Sequence, residues 1–264
     1  MEANLGGGLA KTKKLLGAWG LAALIPAAAG ATSSSTVWTP MTLDIQPYGV
    51  AHWGVDNTFT VGRRTVDGGG SFPTDVGLTL GVLPCEKLRL ELGVDLLEAS
   101  DHPLLFNAKL GLPEGALFDG APALQLGIVN VGTKRGVTDQ NTTYLVVGKT
   151  IRGIGRLSAG PYRGNPRVLV DARGEAENTG WMIAFDRGFH AVPGPDGEFN
   201  RFVFAADYAS GNNALGGGSV GLYYFFTKDI SLLAGPVWFN EEAINGKWKW
   251  TLQLDINHSW FGGK

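Results

Sequence analysis

The sequence predicts an all-β protein, a closed antiparallel transmembrane β-barrel of twelve strands. Three observations point to it. Apolar and polar residues alternate with period two over several runs of about ten residues, the length a tilted strand needs to cross a bilayer. Glycine (40) and proline (13) are abundant within 264 residues, which disfavours a helical bundle. No run after the first 31 residues is long and charge-free enough for a membrane-spanning helix.

The chain opens with Lys11, Lys13 and Lys14 ahead of an apolar run from Leu15 to Ala31. With small residues at Ala29 and Ala31, this has the three parts of a secretory signal cleaved after Ala31. Pro26 and the short apolar length argue against a single transmembrane helix. Removing residues 1–31 takes away three Lys and one Glu, leaving a net charge of -4 over 233 residues. The expected organisation is therefore a signal over 1–31 and one barrel domain over 32–264. Residues 32–49 form a short extension that narrows the lumen, joins the first strand or stays flexible.

The clearest strand is 247–260. Trp248, Trp250, Leu252, Leu254, Ile256, His258 and Trp260 alternate with Lys247, Lys249, Thr251, Gln253, Asp255, Asn257 and Ser259. A strand turns these two sets to opposite faces. In a soluble sheet the apolar set needs a second protein layer, whereas lipid covers every such face at once. Within 86–97 the same alternation sets Leu88, Leu90, Leu92, Val94 and Leu96 against Lys87, Arg89, Glu91, Gly93 and Asp95. Within 102–112 it sets Leu104, Phe106, Ala108, Leu110 and Leu112 against Leu105, Asn107, Lys109 and Gly111. Trp181, Ile183, Phe185 and Phe189 mark 179–189. The remaining strands are expected at 50–62, 72–83, 121–132, 142–151, 153–163, 199–209, 217–227 and 230–239. Arg167–Arg173 reads either as an additional strand or as a strand extension. An even strand count puts both ends of the barrel on one side. The connections 84–85, 113–120, 152, 190–198 and 228–229 then face the periplasm, with 113–120 and 190–198 long for such turns.

Read this way, the mature region resembles a bacterial outer-membrane β-barrel of the porin-like type along its whole length. The run WTLQLDINHSWF at 250–261 looks like a barrel's C-terminal insertion strand, although Gly262, Gly263 and Lys264 displace its aromatic end. DYASGNNALGGGSVGLYYFF at 207–226 resembles a strand–loop–strand unit of exported barrels. The resemblance implies the outer membrane of a Gram-negative bacterium, with membrane lipids and the barrel-insertion machinery as partners.

On that reading the candidate lumen-lining residues are Lys87, Arg89, Glu91, Asp95, Lys109, Arg156, Asp186, Arg201, Asp207, Lys249 and Asp255. They either line water or form an ion-pair network that fills a narrow interior. Their mixed signs indicate no ion preference. The candidate membrane-interface residues are Trp181, Trp238, Trp248, Trp250 and Trp260, since amphipathic rings favour the headgroup region. The expected function is passage of small hydrophilic solutes. A sealed barrel that anchors an envelope protein or surface ligand is the alternative, and an outer-membrane hydrolase is less favoured.

The remaining chemistry is sparse. His52, His102, His190 and His258 are too scattered for a metal signature, and no cofactor motif is present. No GxSxG elbow occurs, and His258 and Ser259 fall on opposite strand faces, so no enzyme is expected. Lys and Arg (22) nearly balance Asp and Glu (24), which excludes a broad nucleic-acid surface. A single Cys85 excludes an intrachain disulfide framework.

Overall fold

The computed structural model describes residues 36–40, 42–195 and 197–260. The expected signal over 1–31 and the terminal residues 261–264 lie outside them. Twelve strands follow one another around a closed barrel. They are β1 (Val50–Phe59), β2 (Thr74–Gly81), β3 (Arg89–Glu98), β4 (Leu104–Leu112), β5 (Ala123–Gly132) and β6 (Thr142–Ile151), then β7 (Gly155–Arg163), β8 (Thr179–Gly194), β9 (Gly197–Ala209), β10 (Gly217–Phe225), β11 (Ile230–Phe239) and β12 (Lys249–Ser259). Each pairs antiparallel with its sequence neighbours, and β1 closes on β12 from Val50 opposite Ser259 to Phe59 opposite Trp250. Closure matters because it leaves no edge of unpaired backbone groups to face hydrocarbon.

Twelve strands were read from alternation, and each overlaps its observed counterpart. The exception in detail is 190–198, expected as a long turn. There β8 and β9 instead keep pairing down to Gly194 opposite Gly197. The pair outruns its neighbours, for β7 reaches only to Gly155 and Arg156, the latter opposite Asp186. Nor does Arg167–Arg173 add a strand. Its loop holds one isolated bridge, Val170 to Ala176, and drops Leu169 fully buried into the interior.

The two ends of the barrel differ. One carries both ends of the strand sequence and the connections 82–88, 113–122, 152–154, 195–196 and 226–229. The other carries 60–73, 99–103, 133–141, 164–178, 210–216 and 240–248, including a 3-10 turn at Thr65–Asp67 and a short helix at Glu242–Asn245. Short turns face the periplasm and longer loops the exterior in outer-membrane barrels, which orients the molecule.

The outer surface is apolar all round. Leu92, Phe106, Leu126, Leu145, Ile183 and Leu222 stand exposed on six different strands. Water does not favour such a belt, and hydrocarbon does. The barrel is thus of the transmembrane type, with lipid against its outer side chains. Among the described residues no helix is long and apolar enough to cross a membrane, so spanning falls to the strands. Replacing Leu126, mid-strand in β5, by Arg is expected to cost about 2–4 kcal/mol of stability in lipid. Urea titration of the barrel folded into vesicles measures this, and a loss below about 0.5 kcal/mol would contradict a lipid-facing Leu126.

Candidate functional site in the barrel lumen

Inward positions divide the lumen into two sectors of different chemistry. Along β5 to β11 they carry Tyr144, Val146, Tyr162, Met182, Tyr223 and Leu233, all buried within two apolar clusters. Along β12 and β1 to β4 they carry His52, Asp56, Thr58, Asp75, Thr79, Glu91, Asp95, Asn107, Lys109, Gln253 and Asp255, almost all polar. One side of the barrel is therefore packed largely with apolar side chains, and the other carries polar ones, of which His52, Thr79, Glu91, Lys109, Gln253 and Asp255 are buried.

Residues 36–40 and 42–47, ahead of β1, lie between these sectors inside the barrel. Near the extracellular end one carboxylate clamps the segment. Asp207 Oδ2 accepts from the backbone amides of Val37 at 2.7 Å, Trp38 at 3.0 Å and Thr39 at 3.3 Å. Its other oxygen accepts from Ser219 Oγ. Tyr223 OH donates to the Thr36 carbonyl at 2.6 Å and Gln253 Nε2 to the Val37 carbonyl at 2.8 Å. The Trp38 ring meets Phe239 at 5.0 Å between centroids, and its Nε1 donates to the Leu215 carbonyl at 2.9 Å.

The segment then descends to the periplasmic half. Arg156 grips the Asp44 carboxylate with NH1 and NH2, both at 2.6 Å, while its Nε donates to Asp186 at 2.8 Å. Bidentate guanidinium–carboxylate pairing is among the stronger side-chain contacts. Arg89 NH1 reaches the Ile45 carbonyl at 3.3 Å, and the Gln46 amide donates to Glu91 at 2.7 Å. Glu91 in turn pairs with Lys109 Nζ at 2.5 Å, the two side chains 1% and 4% exposed. Glycines at inward positions make room for this path. A Cβ on Gly148 would strike Leu43 Cδ1 at 2.1 Å, and one on Gly81 would strike the Pro47 carbonyl at 2.0 Å.

Two spaces remain. On the extracellular side Asp56, Thr58, Asp75, Asp95 and Asn107 face inward with intermediate exposure, forming a polar recess in which one Asp75 oxygen is buried. Asp56 stands opposite Asp75 in the ladder, and among the described residues neither forms an ion pair. Asp95 accepts from Asn107 Nδ2. Beneath them a floor is closed by buried Gln46, His52, Thr79, Glu91 and Lys109. On the periplasmic side lies a cavity of about 110 Å³ between Leu43–Ile45, the wall residues Arg89 and Arg156, and Glu114 of the 113–122 connection. Burial raises the pKa of Glu114 there, but hydrogen bonds from Lys149 and Thr150 outweigh it and hold the carboxyl below its ordinary range.

The candidate residues divide accordingly. Asp95 faces the recess, and Arg89, Arg156 and Asp186 reach the lower lumen, where they hold the segment or one another. Glu91, Lys109, Asp207 and Asp255 point inward but are buried in packed contacts, Asp255 pairing with His52 at 3.3 Å. Lys249 lies over the rings of Phe72 and Phe239 and donates to the Asn245 carbonyl, beneath the last loop. Arg201 sits at the periplasmic rim, bonded to the carbonyls of Phe225 and Phe226. Lys87 is corrected: it lies in the exposed 82–88 connection, off the barrel wall. Trp181, Trp238, Trp248 and Trp250 stand exposed toward the extracellular end and Trp260 at the periplasmic end. Tyr223, by contrast, turns inward and is buried.

Sequence reading missed Asp44, Gln46, Asp56 and Asp75. A signal existed for Asp56, since Gly54, Asp56 and Thr58 alternate with Trp53, Val55 and Asn57. None existed for Asp44 and Gln46, which belong to no strand.

No family model matches, and no curated protein matches. Among solved structures, the KdgM porin aligns over 80% of this chain and 98% of its own, at 8% identity and a TM-score of 0.48. An outer-membrane channel from Pseudomonas putida F1 aligns over 82% and 97%, at 12% identity and 0.43. A mutant Rhodopseudomonas blastica porin aligns over 70% of this chain and 55% of its own, at 8% identity and 0.39, so this chain spans about half of that porin. Likenesses this distant carry no activity across. The chain's own geometry shows a closed twelve-stranded antiparallel barrel with an apolar outer belt.

Proposed function

We propose that the barrel is an outer-membrane pore for small hydrophilic solutes, with its route along the polar sector of the lumen. The observation that carries this reading is the recess of Asp56, Asp75 and Asp95, three inward-facing carboxylates that form no ion pair among the described residues. A structural anchor gains nothing from unpaired carboxylates inside its wall, where desolvation is costly. A passage gains a field that concentrates counter-ions. The reading assigns the barrel no catalysis, and gives the insertion machinery β12 as its recognition strand. The buried floor supports the rival reading, a sealed barrel whose loops bind an envelope partner.

Reconstitution in planar bilayers separates the two. We expect stepwise conductance and, under a potassium chloride gradient, a reversal potential displaced toward the cation. Replacing Asp56, Asp75 and Asp95 together by Asn is expected to abolish most of that displacement. Folded protein that gives no ion or sugar flux, in wild type or in variants of the luminal segment, would sink the pore reading in favour of the anchor.

A further inference from the structure

The two lumen spaces are separated by a floor made of two kinds of structure. Thr79, Glu91 and Lys109 belong to strands held on both sides by ladder bonds. Gln46 belongs to the luminal segment, whose bonds to the wall at 44–46 run through side chains. Moving a strand would break the barrel's ladder, whereas moving the segment exchanges a few side-chain contacts for water.

We propose that residues 42–47 are the gate of the pore, and that Asp44 on Arg156 is its latch; this rests on the pore reading. The segment is fixed beyond both ends of that stretch. Thr39 and the residues before it are held by Asp207, and the Gly49 amide donates to the Gly81 carbonyl at 2.9 Å as β1 begins. Between them, residues 44–46 are held to the wall through side chains, the contacts that a swing would exchange. Its strongest single hold is the two-pronged contact from Arg156 to Asp44. Arg156 also keeps Asp186 on its Nε, so it stays on the wall when Asp44 leaves and can take it back. The cavity beside Leu43, Asp44 and Ile45 holds the volume of a few waters and receives the displaced side chains. Swinging there withdraws Gln46 from Glu91 and joins the extracellular recess to the periplasmic cavity. Arg156 and Asp44 thereby decide how often solute passes, as positioning residues that need not touch it.

Single-channel recording on the full-length barrel tests this. Asp44→Asn keeps the side chain's size but loses the charge, and Arg156→Gln removes the fork. Each is expected to raise the open fraction about tenfold, the effect of losing one charge-assisted hydrogen bond. As a second measurement, Ile45→Cys with Gly111→Cys in a Cys85→Ser background joins segment to wall. A Cβ at 111 would stand 2.7 Å from Ile45 Cδ1. Oxidation is expected to hold the channel shut and a reductant to reopen it. Retention of the heat-sensitive electrophoretic shift of the folded barrel certifies each variant, and Asp44→Asn serves if Arg156→Gln fails to fold. A silent wild type with conducting Asp44→Asn supports the gate. A conducting wild type whose open fraction is unchanged by Asp44→Asn and by the cross-link overturns the gate and leaves the pore. Silence in every folded variant overturns both.

Discussion

Replacing Glu91 by Leu is expected to destabilise the barrel by about 3–5 kcal/mol, because it strands the Lys109 ammonium in a buried site. Lys109 Nζ lies 2.5 Å from Glu91, with both side chains almost wholly out of water. The cost comes less from the lost attraction than from a buried ammonium deprived of its closest counter-charge. The Gln46 amide also loses its acceptor at 2.7 Å, which adds to the penalty. Glu91→Leu combined with Lys109→Leu should recover most of the loss, since removing both charges removes the uncompensated one. Urea unfolding midpoints in vesicles for the two single variants and the double variant decide this. Additive losses would show that the pair does not act as a unit.

Asp207→Ala is expected to cost about 3–5 kcal/mol and to expose the luminal segment. Three consecutive amides, of Val37, Trp38 and Thr39, converge on one oxygen of this buried carboxylate. A methyl group there leaves all three donors and the Ser219 hydroxyl without that acceptor, each worth about 1 kcal/mol or more. Asp207→Asn should be milder, because its amide oxygen still accepts, though without the charge that strengthens the contact. The urea midpoint reports the first effect, and protease cleavage near Trp38 in the folded barrel reports the second. Resistance of the Ala variant to cleavage would place the hold on the segment elsewhere, with Gln253 and Tyr223.

How much could be read in advance follows the physics of each part. Strand 247–260 was legible because lipid and lumen impose opposite demands on alternate residues, and every position from Lys249 to Asn257 records which side it faces. Arg89, Glu91, Asp95 and Lys109 were assigned to the inner face by the same rule. Their pairing was not, since Glu91 meets Lys109 only when the β3–β4 register is set. Mixed signs therefore hid an uneven distribution, in which the basic groups are largely spent on partners while Asp56 and Asp75 form no ion pair among the described residues. The 190–198 stretch misled because Pro193, Gly194 and Pro195 carry turn chemistry, yet proline is tolerated where a strand has outrun its neighbour.

Period-two patterning carried the strand number and the side most strand residues face, because a bilayer tests every exposed side chain along its length. It could not carry what occupies the interior. Residues 36–47 have no periodicity, and they are held by Asp207, Arg156 and Glu91, far away in sequence. Glycines 81, 111, 148 and 221 mark the track they follow, but each looks like an ordinary small residue until a second stretch of chain lies against it. Whether a lumen is a channel or a packed core depends on contacts across the barrel's diameter, and those exist only after the first strand has found the last.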